Sequence, residues 1–467
     1  MLLQFVTEPN ITPRDRRLIR SHVMRGKNAG RSRPARTPLK HQNLPCISLA
    51  NKKDPEPQEM LELELKHTLS LDRLLWHELT IASFPDHVGP QTRRFMYRKL
   101  HLISKALYPP DFCSEVDLSH YAWLQYGLED KAYFYTILAI SSSFPTHFGG
   151  PRTISKEALT HISRAYRLTN ERLSSPEACS DKAIAIVTML AVFQRVHHQH
   201  AIGLVHFEGL KRMIKLRGGL EKLMQEHRVL AQKPWRLALE FALQDGSMPS
   251  FSLDEVSAVS ITNTRPKPSP KPSFQTIPYL SPPLHSHFTA IQNLTYTLNT
   301  ISTPFPSFHQ PKKIDYLDYS DLISAHLHHL LAYAPLSPTH RQTAPLDDLV
   351  HLVLVAIMTT LMPEYGKGQS RYDLLAGMLR DAMKRMALGK SDEVMMWACF
   401  VGWATVLDEV DDEGWMVALA RNVCERMDVE SWEEVKRVLC GLGWICITYD
   451  KPGMRLWDRV SSSNNTT

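Results

Sequence analysis

Ten Lys and Arg side chains crowd into the first forty residues: Arg14, Arg16, Arg17, Arg20, Arg25, Lys27, Arg31, Arg33, Arg36 and Lys40. Glu8 and Asp15 are the carboxylates among them, so the stretch is strongly positive. The whole chain carries only +6, which leaves the rest slightly acidic. Clustered Arg and Lys neutralise phosphate backbones without reading bases, and import receptors read the same pattern. Arg14, Arg16, Arg17, Arg20, Arg25, Lys27, Arg31, Arg33 and Arg36 are therefore the candidate residues for nuclear import or nucleic-acid backbone contact. A solubilising tail is the plain alternative.

A second basic group, Lys211, Arg212, Lys215 and Arg217, stands in "HFEGLKRMIKLRGGL", residues 206–220. On helical spacing it lies opposite Phe207, Leu210, Met213 or Ile214, and Leu216 or Leu220. A soluble amphipathic helix needs such a face. Glu208 and Glu221 dilute it, and no aromatic group stands by to stack on bases. The group reads as the wet side of a packed helix.

Other chemistries find little. His197, His198, His200 and His206 cluster, as do His326, His328 and His329, but no cysteine is near either group and "WHELT" lacks the second His of HEXXH. Helix-surface histidines are the expectation, with no metal. There is no G-x-S-x-G, P-loop or G-x-G-x-x-G. "YGKGQS" (365–370) misses the phosphate-loop spacing, and "LDEVDDEG" (407–414) reads as a solvated loop. Met395, Met396, Trp397 and Trp403 could line a cavity, although core packing explains them as well. No catalytic residue or cofactor is expected, and an enzyme would need a site assembled only in three dimensions.

The elements that would carry these residues are helices. The chain has 467 residues, 43% hydrophobic and 22% charged, ordinary for a soluble globular protein. Its seven cysteines (Cys46, Cys113, Cys179, Cys399, Cys424, Cys440, Cys446) include no C-x2-C pair, which fits reduced thiols in a cytosolic or nuclear setting. "MLLQFVTEPN" is too soon interrupted for a secretory segment, and "LVHLVLVAIMTTLM" (349–362) is too short for a bilayer span. Order is expected to begin at "PQEMLELELKHTLSLDRLLWHEL". Leu159, Ile162, Tyr166 and Leu173 form one helical stripe, and Ser180 caps the apolar helix that follows. Ser370 with Asp373, and Ser431 with Glu434, have capping-box spacing. "SDEVMMWACFVGWATVLDE" should be buried, while "YDKPGMRLW" should turn and return Trp457 to the body. "TRPKPSPKPSFQTIPYLSPP" (264–283) reads as an extended linker, since its prolines exclude a helix interior.

"HFEGLKRMIKLRGGL" resembles the H-x-x-G-L-x-x-M-(V/I)-x-L-R-G-G-(L/I) signature of the fungal-specific transcription factor domain, the helical regulatory region of fungal zinc-cluster regulators. The matching residues are His206, Gly209, Leu210, Met213, Leu216, Arg217, Gly218, Gly219 and Leu220. "ALTHISRAYRLTNERLSSPEACSDKAIAIVTMLAVFQ" is similar to the family's preceding helix pair, and "WEEVKRVLCGLGWICITYDKPGMRLWDRV" to its Trp-rich close. "FVTEPN…IRSHVMRGKNAGR" resembles an N-terminal motif of fungal proteins of this group that lack a zinc cluster. The family's DNA reader needs six cysteines, mainly in C-x2-C-x6-C repeats, and the first hundred residues hold Cys46 alone.

The expectation is thus an all-α fold: a large multi-helix regulatory domain with a Pro-rich insertion, preceded by a disordered basic arm. Its parts are 1–58 (arm), 59–243 (first helical half), 244–285 (Pro-rich linker or loop), 286–460 (second helical half) and 461–467 (disordered tail). The resemblance implies a regulatory helical body that works through other regulators or coregulators, or an effector; the arm's charge adds nuclear import and DNA backbone attraction, and no membrane is expected. The alternative is a helical interaction scaffold with no role at DNA.

Overall fold

A computed structural model of the chain describes residues 84–86, 96, 101, 103–116, 122–147, 154–252, 275–303, 312–337, 341, 344–362, 372–386, 391–407 and 414–462. The basic arm, the Leu-rich stretch 57–79, most of the Pro-rich run, the 365–370 loop and the carboxylates between 408 and 413 lie outside the described residues. Among those described the fold is all-α. Fifteen helices account for it, with one isolated β-bridge between Cys113 and Ile314.

The first group comprises α1 (Ala122–Glu129), α2 (Lys131–His147), α3 (Lys156–Leu173), α4 (Asp181–Val196), α5 (His200–Leu216), α6 (Leu220–Glu226) and α7 (Arg228–Asp245). Then come α8 (Pro282–Ser302), α9 (Tyr316–Tyr333), α10 (Pro345–Leu361) and α11 (Asp373–Arg385). The last group is α12 (Asp392–Thr405), α13 (Trp415–Arg426), α14 (Trp432–Leu442) and α15 (Cys446–Ser461).

Local chemistry starts many of these helices. Ser155 and Ser180 accept from the backbone N–H of Ala158 and Ala183, and Asp315 caps α9 through Leu317 and Asp318. Ser431 and Glu434 close the full reciprocal box at the head of α14. Ser370, expected to form a capping box with Asp373 at the head of α11, lies outside the described residues. That helix begins at Asp373 itself, behind Tyr372, which makes no side-chain cap; Asp373 thus sits in the first turn, opposing the helix dipole.

Prolines also depart from expectation in two places. Pro282 and Pro283, read as linker, form the first turn of α8, where a missing N–H has no intrahelical partner to lose. Pro452 lies inside α15, so "YDKPGMRLW" is helix rather than turn. A Cβ on Gly453 would come within 2.8 Å of Trp432 and 2.9 Å of Trp444, so this turn packs tightly under two indoles.

The deepest element is α10, buried without a break from Asp347 to Thr359. Beside it α12 is buried from Val394 to Trp403, as its apolar circumference requires. Met395, Met396, Trp397 and Trp403 are therefore core residues, and Trp397 Nε1 donates to Gly443 O at 2.8 Å. One apolar cluster continues from α1 to α15.

Across the Pro-rich run, α7 and α9 are bonded directly. Trp235 Nε1 donates to His328 Nδ1 at 3.0 Å, and Arg228 pairs with Asp318 and Asp321 at 2.6 and 2.7 Å. His328 is thus buried, not on a helix surface as expected, because indole donation satisfies its ring inside the core. His326 is also largely enclosed, and burial pushes its pKa down to about 4. Among the described residues, no helix is long and apolar enough to cross a membrane.

The stripe predicted for α3 is shifted. Its buried face runs through Ala158, Ile162, Ala165 and Thr169, while Leu159 and Leu173 are 48% and 40% exposed. Small residues let α2 and α4 approach, which turns the larger leucines toward the rim.

Candidate functional site

The signature segment spans α5, the glycine corner after it, and the start of α6. Three residues join α4 to α5, and His198 takes a left-handed φ of 55° to make the reversal. Gly203 faces both neighbouring helices at ordinary van der Waals distance. A Cβ there would stand 3.4 Å from the Phe241 ring of α7 and 3.5 Å from Gln194 of α4. The inner face of α5 is Gly203, Phe207, Leu210, Met213 and Ile214, all buried. Phe207 meets Phe241 with ring centroids 5.0 Å apart.

His206 sits at the edge of that face. Its ring stacks on Tyr166 of α3 at 5.6 Å, and Nε2 lies 3.4 Å from the Tyr166 hydroxyl. Burial lowers the His206 pKa, so the neutral ring accepts from Tyr166, whose oxygen in turn accepts from Gln194 Nε2. The polar chain His206–Tyr166–Gln194 therefore ties α5, α3 and α4 together.

The corner explains the double glycine. Gly218 N–H bonds to Lys215 O at 3.1 Å and Gly219 N–H to Ile214 O at 3.0 Å, the paired bonds of a Schellman motif. Gly218 and Gly219 have φ of 103° and 96°, where side chains are strained. Arg217 then reaches back. Its Nη1 donates to Asp181 Oδ1 at 2.7 Å and to Cys179 O at 3.0 Å, while Nη2 donates to Glu226 Oε2 at 3.2 Å. His227 Nε2 stands 3.1 Å from the other oxygen of Asp181. Leu220 closes the corner from inside, fully buried.

Seven of the nine signature residues thus pack into this corner or its inner face, and Gly209 and Leu216 do not. Of the two leucines offered for the inward stripe, Leu220 is buried and Leu216 is 75% exposed. The ring of the core is completed by Leu220 beyond the glycine corner. Of the basic group, Arg217 is a clamp, and Lys211 pairs with Glu208 at 2.6 Å over the Phe207 ring. Arg212 and Lys215 face outward.

What sequence reasoning missed is the outer face of the same helix. Ile202, Val205, Gly209, Arg212 and Leu216 recur at steps of three and four residues, the spacing of a helix–helix seam. Ile202 is 47% exposed and Val205 70% exposed, and a Cβ on Gly209 would meet nothing within 4 Å. The inner stripe drew attention because it is continuous, whereas this one is interrupted by Gly209 and Arg212. Among the described residues, no group of three or more His, Cys, Asp or Glu side chains is arranged to hold a metal ion.

The described residues form a helical body whose signature builds one corner and leaves one helix face bare. The family model described as fungal specific transcription factor domain matches residues 120–439, more than half of the chain, and the chain belongs to that family. The family is one of transcription factor domains rather than of enzymes. No curated protein and no solved structure matches the chain.

Proposed function

We infer that the protein regulates transcription in the nucleus through a protein partner, which docks on the outer face of α5. The family match carries the regulatory part of this reading. The partner surface is supported by Ile202, Val205 and Leu216, large apolar side chains left to water on a helix otherwise well packed. Burying them against a partner would release about 25 cal/mol per Å² of apolar area. Gly209 permits close approach, and Arg212 with Lys215 on the same side favours an amphipathic helix flanked by carboxylates.

The basic arm supplies import and non-specific attraction to DNA. Its support is charge alone: Arg14 to Arg36 precede a slightly acidic body, and each phosphate neutralised steepens salt dependence by about 0.9 in log–log slope. Specificity would then reside in the partner, because phosphate contacts carry no base information.

Tethering tests the regulatory reading. The full chain fused to an unrelated DNA-binding domain should change reporter output, and Val205→Asp with Leu216→Asp should remove the change at equal protein level. A second assay separates the arm. The full chain should bind duplex DNA weakly at low salt and lose it as salt rises, whereas a chain starting at residue 59 should not bind. Partner-dependent reporter control without any DNA affinity would favour the scaffold reading.

A further inference from the structure

The corner between α14 and α15, just past the family-matched span, brings two thiols together. Cys440 Sγ and Cys446 Sγ are 3.7 Å apart, and both residues are half-buried. By contrast Cys113, Cys399 and Cys424 are buried, and burial pushes Cys113 and Cys424 up to about 12.

The two thiols are placed asymmetrically. Cys446 is the first residue of α15, where the positive end of the helix dipole favours a thiolate. Cys440 lies in the last turn of α14, where the carbonyl end disfavours one. Cys440 therefore donates its proton toward Cys446, which lowers the pKa of Cys446 and raises that of Cys440. Lys436 stands one turn before Cys440 and Asp450 one turn after Cys446. They pair at 2.5 Å, and Trp444 Nε1 donates to the other Asp450 oxygen at 2.8 Å.

The corner itself is held from α8. Gln292 Nε2 donates to Gly441 O at 2.8 Å, Asn299 Nδ2 donates to Trp444 O at 2.7 Å, and Cys446 N–H donates to Asn299 Oδ1 at 2.8 Å. With the backbone fixed, the sulfurs must close by about 1.7 Å to reach the bonded distance near 2.05 Å.

We propose that Cys440 and Cys446 form a peroxide-oxidisable dithiol, with Cys446 the attacking and Cys440 the resolving residue. The Cys446 thiolate attacks one oxygen of a hydroperoxide. An S–O bond forms, the O–O bond breaks, and the departing hydroxide or alkoxide leaves as water or alcohol after taking a proton from solvent. Cys440 then attacks the Cys446 sulfur, forming the S–S bond and expelling the sulfenic oxygen, which takes the Cys440 proton and leaves as water. Two electrons pass from the thiols to the peroxide. A dithiol reductant restores the pair by exchange.

The test uses the full chain and hydrogen peroxide, followed by alkylation and peptide mass mapping. The peptide holding both cysteines should become lighter by two hydrogen atoms and lose two alkylatable thiols, and dithiothreitol should reverse both changes. Cys440→Ser should stop at a Cys446 sulfenic acid that dimedone traps, while Cys446→Ser should leave Cys440 alkylatable. Circular dichroism melts of each variant establish that it is folded. Oxidation of Cys179 in the unsubstituted chain while the Cys440–Cys446 peptide keeps both thiols would overturn the proposal. So would dimedone labelling of Cys440 in place of Cys446.

Discussion

Arg217 and Asp181 lie 36 residues apart in the chain and 2.7 Å apart in the fold. Their bond closes the end of α5 onto the start of α4, and the same guanidinium takes Cys179 O and Glu226. A planar fork suits this arrangement where a single ammonium does not. The signature arginine is a staple in a packed corner, and its basic character serves the fold.

Replacing it should therefore reduce stability. Arg217→Ala leaves Asp181, Glu226 and a carbonyl short of a donor, and the loss should be about 1–3 kcal/mol. Arg217→Lys should recover only part of it. Urea melts of the three proteins measure both effects.

The glycines of the signature should separate into two kinds. Gly219→Ala forces a side chain to φ of 96° and should destabilise by about 1–3 kcal/mol. Gly209→Ala adds a methyl to open space in a helix interior and should stabilise the isolated chain by about 0.5–1 kcal/mol. If Gly209 is kept for close approach, that stabilised variant should nevertheless bind the α5 partner more weakly.

Buried histidine should set the acid limit of the fold. His351 Nε2 lies 2.9 Å from Leu330 O and its Nδ1 accepts from Arg341 at 3.0 Å, an arrangement that suits a neutral ring. Burial, with Arg341 nearby, pushes its pKa from the usual 6.5 down to about 3. The unfolded chain thus binds the proton first as pH falls. Stability from this residue is full above about 6.5 and lost on descent toward 3. His326, His206, His287 and His329 are shifted the same way by burial and add to the slope. His351→Gln should flatten the fall of melting temperature below pH 6.5, measured against the unsubstituted chain.

Local signals were legible in the sequence, and long-range ones were not. Ser180, Ser431 and Glu434 announce helix starts because each cap is complete within four residues. The apolar girth of α12 announces burial. Asp181 gives no local hint that Arg217 will find it, and His328 gives none of Trp235, 93 residues away. In α3 the pattern misled, because larger leucines looked more core-like than the alanines that permit close packing. The outer face of α5 was hidden by Gly209 and Arg212, which break its apolar run. Cys440 and Cys446 likewise share no motif, and only the turn through Gly443 brings them together.

The outer face of α5 is the part of the regulatory account most exposed to refutation. Val205→Asp with Leu216→Asp should change stability by no more than about 0.5 kcal/mol, as for surface substitutions. In the tethered reporter the unsubstituted chain should shift output and the double variant should leave it at the level of the DNA-binding domain alone. A double variant that is folded, equally abundant and still fully active would contradict the account.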